Sequence, residues 1–251
     1  VVTGVQHRGT VAQQLRDIQS GARVICEPAG RNTGPAVLAA AYTLAMYDPN
    51  AIMVVIPADH VIEGPLTETI AACVPGAQAG HIVTFGIPPR YAETGFGYIL
   101  DAGSLGEDAG PLRRVGGFIE KPPLEEAEAL IETGKAFWAS GLSMFAARTI
   151  IAEYERFDPD SAAQVARAVQ EATQEPDALY LAAEPFLQAA SKPTEQAVFE
   201  QTDKIALAPL HVSWDDVGSW LAMYNISPKN GDGNVLQGDV IAEKSHNTMV
   251  R

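Results

Sequence analysis

Apolar and polar positions divide the chain into short units. From Thr10 to Ser20, Val11, Leu15 and Ile18 recur on one helical face, and Gly21 follows as a stop signal. Arg23-Val-Ile-Cys26 predicts a strand that runs into Glu27-Pro-Ala-Gly-Arg-Asn-Thr-Gly-Pro35. Asn32 or Thr33 can cap the next helix there, with Pro35 in its first turn. That helix is expected over 36–47, with Val37, Leu38, Ala41, Leu44 and Ala45 inward. The run Ala51-Ile-Met-Val-Val-Ile-Pro-Ala-Asp-His60 is continuously apolar and stops at Pro57. Such a run reads as a strand covered on both faces in the middle of a parallel sheet. Asp59 then falls just past its carboxyl end, where open α/β sheets bind ligands; the alternative is that it closes a turn.

Further on, 66–79 reads as a helix disturbed by Pro75, and His81-Ile-Val-Thr-Phe-Gly86 as a strand. This βαβαβ alternation predicts parallel pairing with right-handed crossovers. Residues 88–98 read as a loop, 112–121 as a strand, 123–134 as an acidic amphipathic helix and 137–146 as a strand. Three helical stretches cover 149–190, broken near Pro159 and Pro176, followed by a short helix at 194–201 and a strand at 205–210. The tail from Gly231 reads as short strands and turns.

Composition narrows the class. The 251 residues, 47% hydrophobic, can bury the core of one α/β domain. A net charge of −14 argues against a nucleic-acid polymer as partner, because that needs a basic face. Cys26 and Cys73 follow no metal spacing and read as thiols of a reducing, cytoplasmic compartment. No stretch reads as a membrane span. The pair Gly95-Phe-Gly97 lacks the third glycine and the helix of a dinucleotide fingerprint.

Six motifs in register carry a resemblance: Glu27-Pro with Arg31-Asn-Thr33, Pro57-Ala-Asp-His60, Glu93-Thr-Gly-Phe-Gly-Tyr-Ile99, Phe118-Ile-Glu-Lys-Pro122, Trp138 with Ser140-Gly141, and Trp214-Asp-Asp-Val-Gly-Ser-Trp220. In this order they resemble mannose-1-phosphate guanylyltransferases, members of the sugar-1-phosphate nucleotidyltransferases. The resemblance implies an α/β Rossmann-like three-layer α/β/α fold with a mixed, mostly parallel central sheet. It implies transfer of GMP from GTP to mannose 1-phosphate, giving GDP-mannose and pyrophosphate with Mg²⁺. Asp59 and Asp216 would hold the metal, which favours one or two carboxylates with phosphate oxygens and water. Lys121 would hold the sugar phosphate, Glu120 and Ser140 would bond sugar hydroxyls, and Gly95 would let backbone approach the sugar. Glu27 suits guanine, whose N1–H and N2–H₂ donors meet a carboxylate that only accepts. Arg31, Asn32 and Thr33 would line the nucleotide end, with helix capping as the alternative for Asn32 and Thr33. His60 is assigned no catalytic role. A homodimer is allowed.

The match also departs from the family. Nothing corresponds to the family's Gly-rich triphosphate loop, so residues 1–228 are expected to be a nucleotidyltransferase domain lacking its first strand and that loop. On this expectation the chain alone turns over little. Residues 229–251 would begin a C-terminal β segment or second domain. Ala139 replaces the family's asparagine, which leaves another hexose 1-phosphate as an alternative substrate. A catalytically inactive GDP-sugar-binding regulatory subunit is the alternative of another class. The family's Ser-Ile-Asp-Tyr-Ala segment is Pro193-Thr-Glu-Gln-Ala197 here, keeping an acid at Glu195.

Overall fold

A computed structural model describes residues 1–106 and 109–251. Strands β1 (Val2–Gly4) and β2 (Val24–Glu27) flank helix α1 (Arg8–Asp17), and helix α2 (Thr33–Ala45) leads to β3 (Ile52–Val55). Strand β4 (Val61–Glu63), helix α3 (Leu66–Gln78), and strands β5 (Ile82–Ile87), β6 (Gly97–Ser104) and β7 (Arg113–Glu120) follow. Helix α4 (Leu124–Glu132), the long β8 (Ala136–Ala146), and helices α5 (Ala147–Phe157) and α6 (Pro159–Gln170) come next. The chain continues through β9 (Thr173–Gln174), β10 (Ala178–Tyr180), α7 (Ala183–Phe186), a one-turn π-helix (Glu195–Phe199), β11 (Ile205–Pro209), β12 (Ser213–Asp215) and α8 (Trp220–Ile226). It ends in β13 (Val235–Leu236) and β14 (Met249–Val250), which pair in parallel.

Six strands form the main sheet in the order β3-β8-β5-β11-β7-β6, and four form a second sheet in the order β1-β2-β10-β9. In the main sheet β3, β5, β11 and β6 run one way, while β8 and β7 run against them. Most strands therefore share a direction, as expected of this mixed sheet, yet β8 separates β3 from β5. The βαβ crossover between them thus skips one strand.

Strand β3 is also not central. It pairs only with β8 and forms the sheet's edge, with one of its four residues fully buried. The central strand is β5, all six of whose residues are buried. Its faces explain why: Ile82 joins a core with α2, α5 and α6, while Val83, Phe85 and Ile87 join a second core with α3 and α4. Helices thus cover both faces in three layers. The first core includes Ile25 of β2 and Met53 of β3, so both sheets share one helical layer. Burial of Leu38, Ile82 and Phe145 there contributes roughly 1.5–3 kcal/mol per side chain.

Smaller departures have local causes. Val11 and Leu15 pack on β2, but Ile18 lies past the end of α1 and is exposed. Leu44 and Leu124 are likewise exposed, at the ends of α2 and α4. Pro75 stays inside α3 without ending it. The segment after α6 makes strand β10, which adds in parallel to β2, instead of a third long helix. Among the described residues no helix is long and apolar enough to cross a membrane.

Candidate active site

The hairpin-like pairing of β4 with β12 brings the two acidic motifs together. Val61 pairs with Asp215 and Ile62 with Trp214 in an antiparallel register. Asp59 and Asp216 therefore lie just beyond the same end of this ladder although 157 positions separate their numbers. Trp214 Nε1 donates to His60 Nδ1 at 3.2 Å, locking the two strands side chain to side chain. The other imidazole nitrogen, Nε2, lies 3.7 Å from Asp59 Oδ1. Asp59 projects into solvent, whereas Asp216 lines the adjoining cleft.

The backbone after β12 is strained where it presents Asp216. Val217 has φ +51°, a conformation that a β-branched residue rarely adopts. Asp215 Oδ1 accepts from the Val217 N–H at 2.7 Å, and Asp216 Oδ1 accepts from the Gly218 N–H at 3.1 Å. Alternation along β12 turns Asp215 away, into a separate cavity with Trp138 and Asn225. Two carboxylates at one ladder end, Asp216 retaining an oxygen without a protein partner, suit a Mg²⁺ ion that draws its remaining ligands from phosphate and water. Among the described residues no group of three or more His, Cys, Asp or Glu could hold a metal.

The cleft beside Asp216 has a volume of about 370 Å³. Gly95, Gly97, Ala139 and Gly141 line it without any polar side chain. A Cβ on Gly97 would meet Glu120 Oε2 at 2.7 Å. Gly141 has φ +72°, and a Cβ there would meet Pro57 Cγ at 3.2 Å, so only glycine lets β8 pass beneath the 57–60 loop. Glu120 and Lys121 form one wall, with Lys121 Nζ 3.2 Å from Glu120 Oε1 and both side chains largely in water. Lys121 too is left-handed, at φ +48°. Pro193, Glu195, Gln196 and Glu200 form the opposite wall.

Ser140 also borders the cleft, but its hydroxyl is engaged within the protein. Its side chain is fully buried; its hydroxyl donates to the Phe85 carbonyl at 2.6 Å and accepts from the Leu142 N–H at 3.2 Å. The hydroxyl fills the irregularity where the β5–β8 register shifts, so it is spent on the sheet and not on a sugar. Gly97, Gly141, Glu195 and Glu200 are among the lining residues that the sequence did not mark as a site. Gly97 and Gly141 stood within motifs, and Glu195 was marked only as an acid kept in a family segment.

At the other end, β2 delivers Glu27 into a buried position. Its Oε1 has no hydrogen-bond partner, and burial pushes its carboxyl above the usual carboxylate range. The loop behind it is occupied with itself. Asn32, at φ +66°, accepts from the Thr33 N–H at 2.9 Å; Thr33 Oγ1 accepts from the Thr194 N–H at 3.0 Å. The Gly34 N–H donates to the Lys192 carbonyl at 3.1 Å, so the start of α2 is covered by the chain at 192–194 and is not an open anion site. Arg31 donates through Nε and Nη2 to the Ala189 carbonyl. For Asn32 and Thr33 the structural alternative accounts for the side-chain bonds, and Arg31 is tied to the segment after α7.

A layered α/β domain with a cleft in which Asp216, Glu120 and Lys121 surround glycine backbone defines a class. Residues 1–233 match the family described as nucleotidyl transferase, and the chain belongs to that family. More particularly, it is 37% identical over 256 residues to a mannose-1-phosphate guanylyltransferase of Escherichia coli (strain K12), covering 100% of this chain and 54% of that relative. It is 39% identical to the mannose-1-phosphate guanylyltransferase of Sinorhizobium fredii, covering 100% of this chain and 49% of that one. The chain therefore spans about half the length of the curated relatives it matches. A crystal structure described as mannose-1-phosphate geranyltransferase from Thermus thermophilus superposes with a TM-score of 0.77 at 27% identity, covering 95% of this chain and 66% of that one. The fold also matches that of a mannose-6-phosphate isomerase from Helicobacter pylori, with a TM-score of 0.73 at 24% identity, over 85% of this chain and 83% of that one.

Proposed function

We propose that this domain transfers GMP from GTP to mannose 1-phosphate, releasing pyrophosphate and forming GDP-mannose. The observation that carries the reading is the convergence of Lys121, Glu120 and Asp216 on one cleft floored by glycine backbone. The similarity to mannose-1-phosphate guanylyltransferases supports the same substrates.

A phosphate oxygen of the sugar attacks the α-phosphorus of GTP in line; the new P–O bond forms as the bond to the β-phosphate bridging oxygen breaks. Such a transfer asks for positioning and charge neutralisation more than for a covalent nucleophile. Lys121 holds the incoming sugar phosphate as a point charge that can follow it. Glu120 accepts from sugar hydroxyls beside it. Asp59 and Asp216 would hold Mg²⁺, which would supply neutralisation of charge on the phosphates. Glu27 takes the guanine edge, and the donors N1–H and N2–H₂ satisfy the carboxylate that the protein leaves without a partner.

Titration of the chain with GDP-mannose, UDP-glucose and ADP-glucose tests this, with pyrophosphate release from GTP and mannose 1-phosphate in Mg²⁺ as the companion measurement. Binding at least about tenfold tighter for GDP-mannose is expected, a difference on the order of 1.4 kcal/mol. Equal binding of all three removes Glu27 as the reader of the base. A second reading, transfer to another hexose 1-phosphate, is favoured by Ala139, which leaves the floor of the cleft without a side-chain hydrogen bond. Comparison of mannose 1-phosphate with glucose 1-phosphate as acceptors separates the two.

A further inference from the structure

The wall opposite Lys121 is used by nothing so far. It is built by the π-helix at Glu195–Phe199, whose inner residues Ala197, Val198 and Phe199 are buried in the core shared with α2 and α5. A π turn carries one more residue than an α turn, and such turns recur at functional sites. Here the buried inner residues anchor the turn while its first residue, Glu195, lines the cleft. Glu195 lies close enough to Glu120 for the two charges to interact, and Ala139 lines the cleft between the walls. Burial, followed by the charges of Glu120 and Glu200, holds the Glu195 carboxyl above the ordinary carboxylate range.

Charge and hydrogen bonding decide what fits between these walls. Gly97, Ala139 and Gly141 offer no side-chain donor or acceptor, and Lys121 is the one cationic side chain lining the cleft among the described residues. A ligand with several negative groups at this level would face Glu120, Glu195 and Glu200 together. An apolar ligand would leave the Glu195 carboxyl desolvated without a partner, which is unfavourable. A neutral polyol satisfies both walls, because each hydroxyl can donate to a carboxylate while its ring lies over the glycine floor.

We propose that Glu195 is a specificity-determining residue of this cleft, accepting hydrogen bonds from hydroxyls on the face of the sugar ring turned away from Glu120. This inference rests on the function proposed above and goes beyond it by naming the second wall of the sugar subsite. Because the glycines and Ala139 of the floor carry no polar side chain and the Ser140 hydroxyl is already bonded to Phe85 and Leu142, Glu195 supplies the selection that the floor cannot.

Parallel titrations with GDP-mannose and with GDP isolate the sugar. For the unaltered chain, GDP-mannose is expected to bind at least tenfold tighter than GDP. In Glu195→Gln, which keeps the shape of the turn, that ratio should fall to within about threefold while the Kd for GDP stays unchanged. Glu195→Asp, which keeps the charge at shorter reach, should recover part of the ratio. A full ratio retained in Glu195→Gln overturns the role of Glu195 and leaves the proposed function standing. Equal weakening of both ligands, with a lowered Tm, makes Glu195 a structural residue and overturns it as well. If the unaltered chain binds neither GDP-mannose nor GDP, the proposed function falls first and takes this inference with it.

Discussion

The two ends of the candidate site treat backbone strain in opposite ways. At the nucleotide end the left-handed position is held by Asn32, a residue type that tolerates it, and the side chain is satisfied by its own cap. At the sugar and metal end the left-handed positions are Lys121 and Val217, a long cation and a β-branched residue, neither suited to φ near +50°. Polar groups follow the same division. Asn32, Thr33 and Arg31 bond the protein, whereas Lys121, Glu120 and Asp216 face an open cleft. Strain that persists against residue preference is over-determined by its surroundings, and it gathers where geometry matters to function. On the proposed function the chemistry sits between β7 and β12, with the loop before α2 chiefly a support for it. The exception is Glu27, whose buried Oε1 has no hydrogen-bond partner within the protein.

The sharpest way to break this comparison is Asp216→Asn. If Asp216 and Asp59 hold the metal, loss of one carboxylate removes several kcal/mol of charge stabilisation in the transferring state, and pyrophosphate release should fall by about 10³-fold or more. Asp216 lies at the surface of the cleft, so Tm should move little. Retained activity would take Asp216 out of the metal site. Asp215→Ala serves as the control and should act on stability instead, since it removes the oxygen that accepts from the Val217 N–H.

Lys121→Gln should come next. Hydrogen bonds to charged groups contribute about 1.5–3 kcal/mol, so affinity for mannose 1-phosphate should fall roughly 10- to 150-fold with nucleotide affinity unchanged. An unchanged KM for the sugar phosphate would show that the ammonium points elsewhere when substrate is bound. A parallel fall in nucleotide affinity would merge the two ends that the structure separates.

These effects also mark what could be read from residues alone. Existence and type of most elements followed from period and punctuation, as with the runs that became β5, α5 and β11. The six motifs in order led to the family and to the two aspartates, because a strand that stops at Pro57 determines where Asp59 falls. Pairing order was hidden. The apolar run of β3 reads the same for a central strand as for an edge, and only β8, inserted between β3 and β5, decides it. Ser140 was read as a sugar ligand because a serine beside a glycine in a motif says nothing about register. The β5–β8 shift turns its hydroxyl inward. Glu195 was legible only as an acid kept within a family segment, because one residue more in a turn leaves no pattern in sequence, yet it changes what faces the cleft.

Glu27→Gln separates stability from recognition. Its carboxyl lies above the usual range because burial disfavours the charged form. A group raised in this way favours the fold at pH below about 4.5, its unfolded value, and that contribution is lost as pH rises through the folded pKa. As pH rises, ionisation of this buried carboxyl costs the fold stability, a cost that glutamine, which does not ionise, avoids. The variant should gain about 1 kcal/mol and roughly 2–4 °C in Tm, and its Tm should decline less with rising pH between acid and neutral conditions. Preference for GDP over ADP should fall at the same time. A lower Tm at neutral pH would mean that Glu27 has a partner in solution, and its role in reading the base would need another argument.

The smallest effect tests the strain itself. Val217→Asn places a residue that tolerates positive φ where valine does not, at a half-buried position whose N–H stays bonded to Asp215. Relief of left-handed strain is on the order of 1–2 kcal/mol, and part of it is offset by the lost packing of two methyl groups. A rise of about 1–3 °C in Tm is expected. Strain that positions Asp216 should cost function when it is relieved, so the Mg²⁺ concentration for half-maximal activity should rise while the KM for GTP stays put. If Tm rises and the Mg²⁺ requirement does not change, the left-handed turn is incidental to metal binding. The contrast between the two ends would then rest on which groups are free, and not on strain.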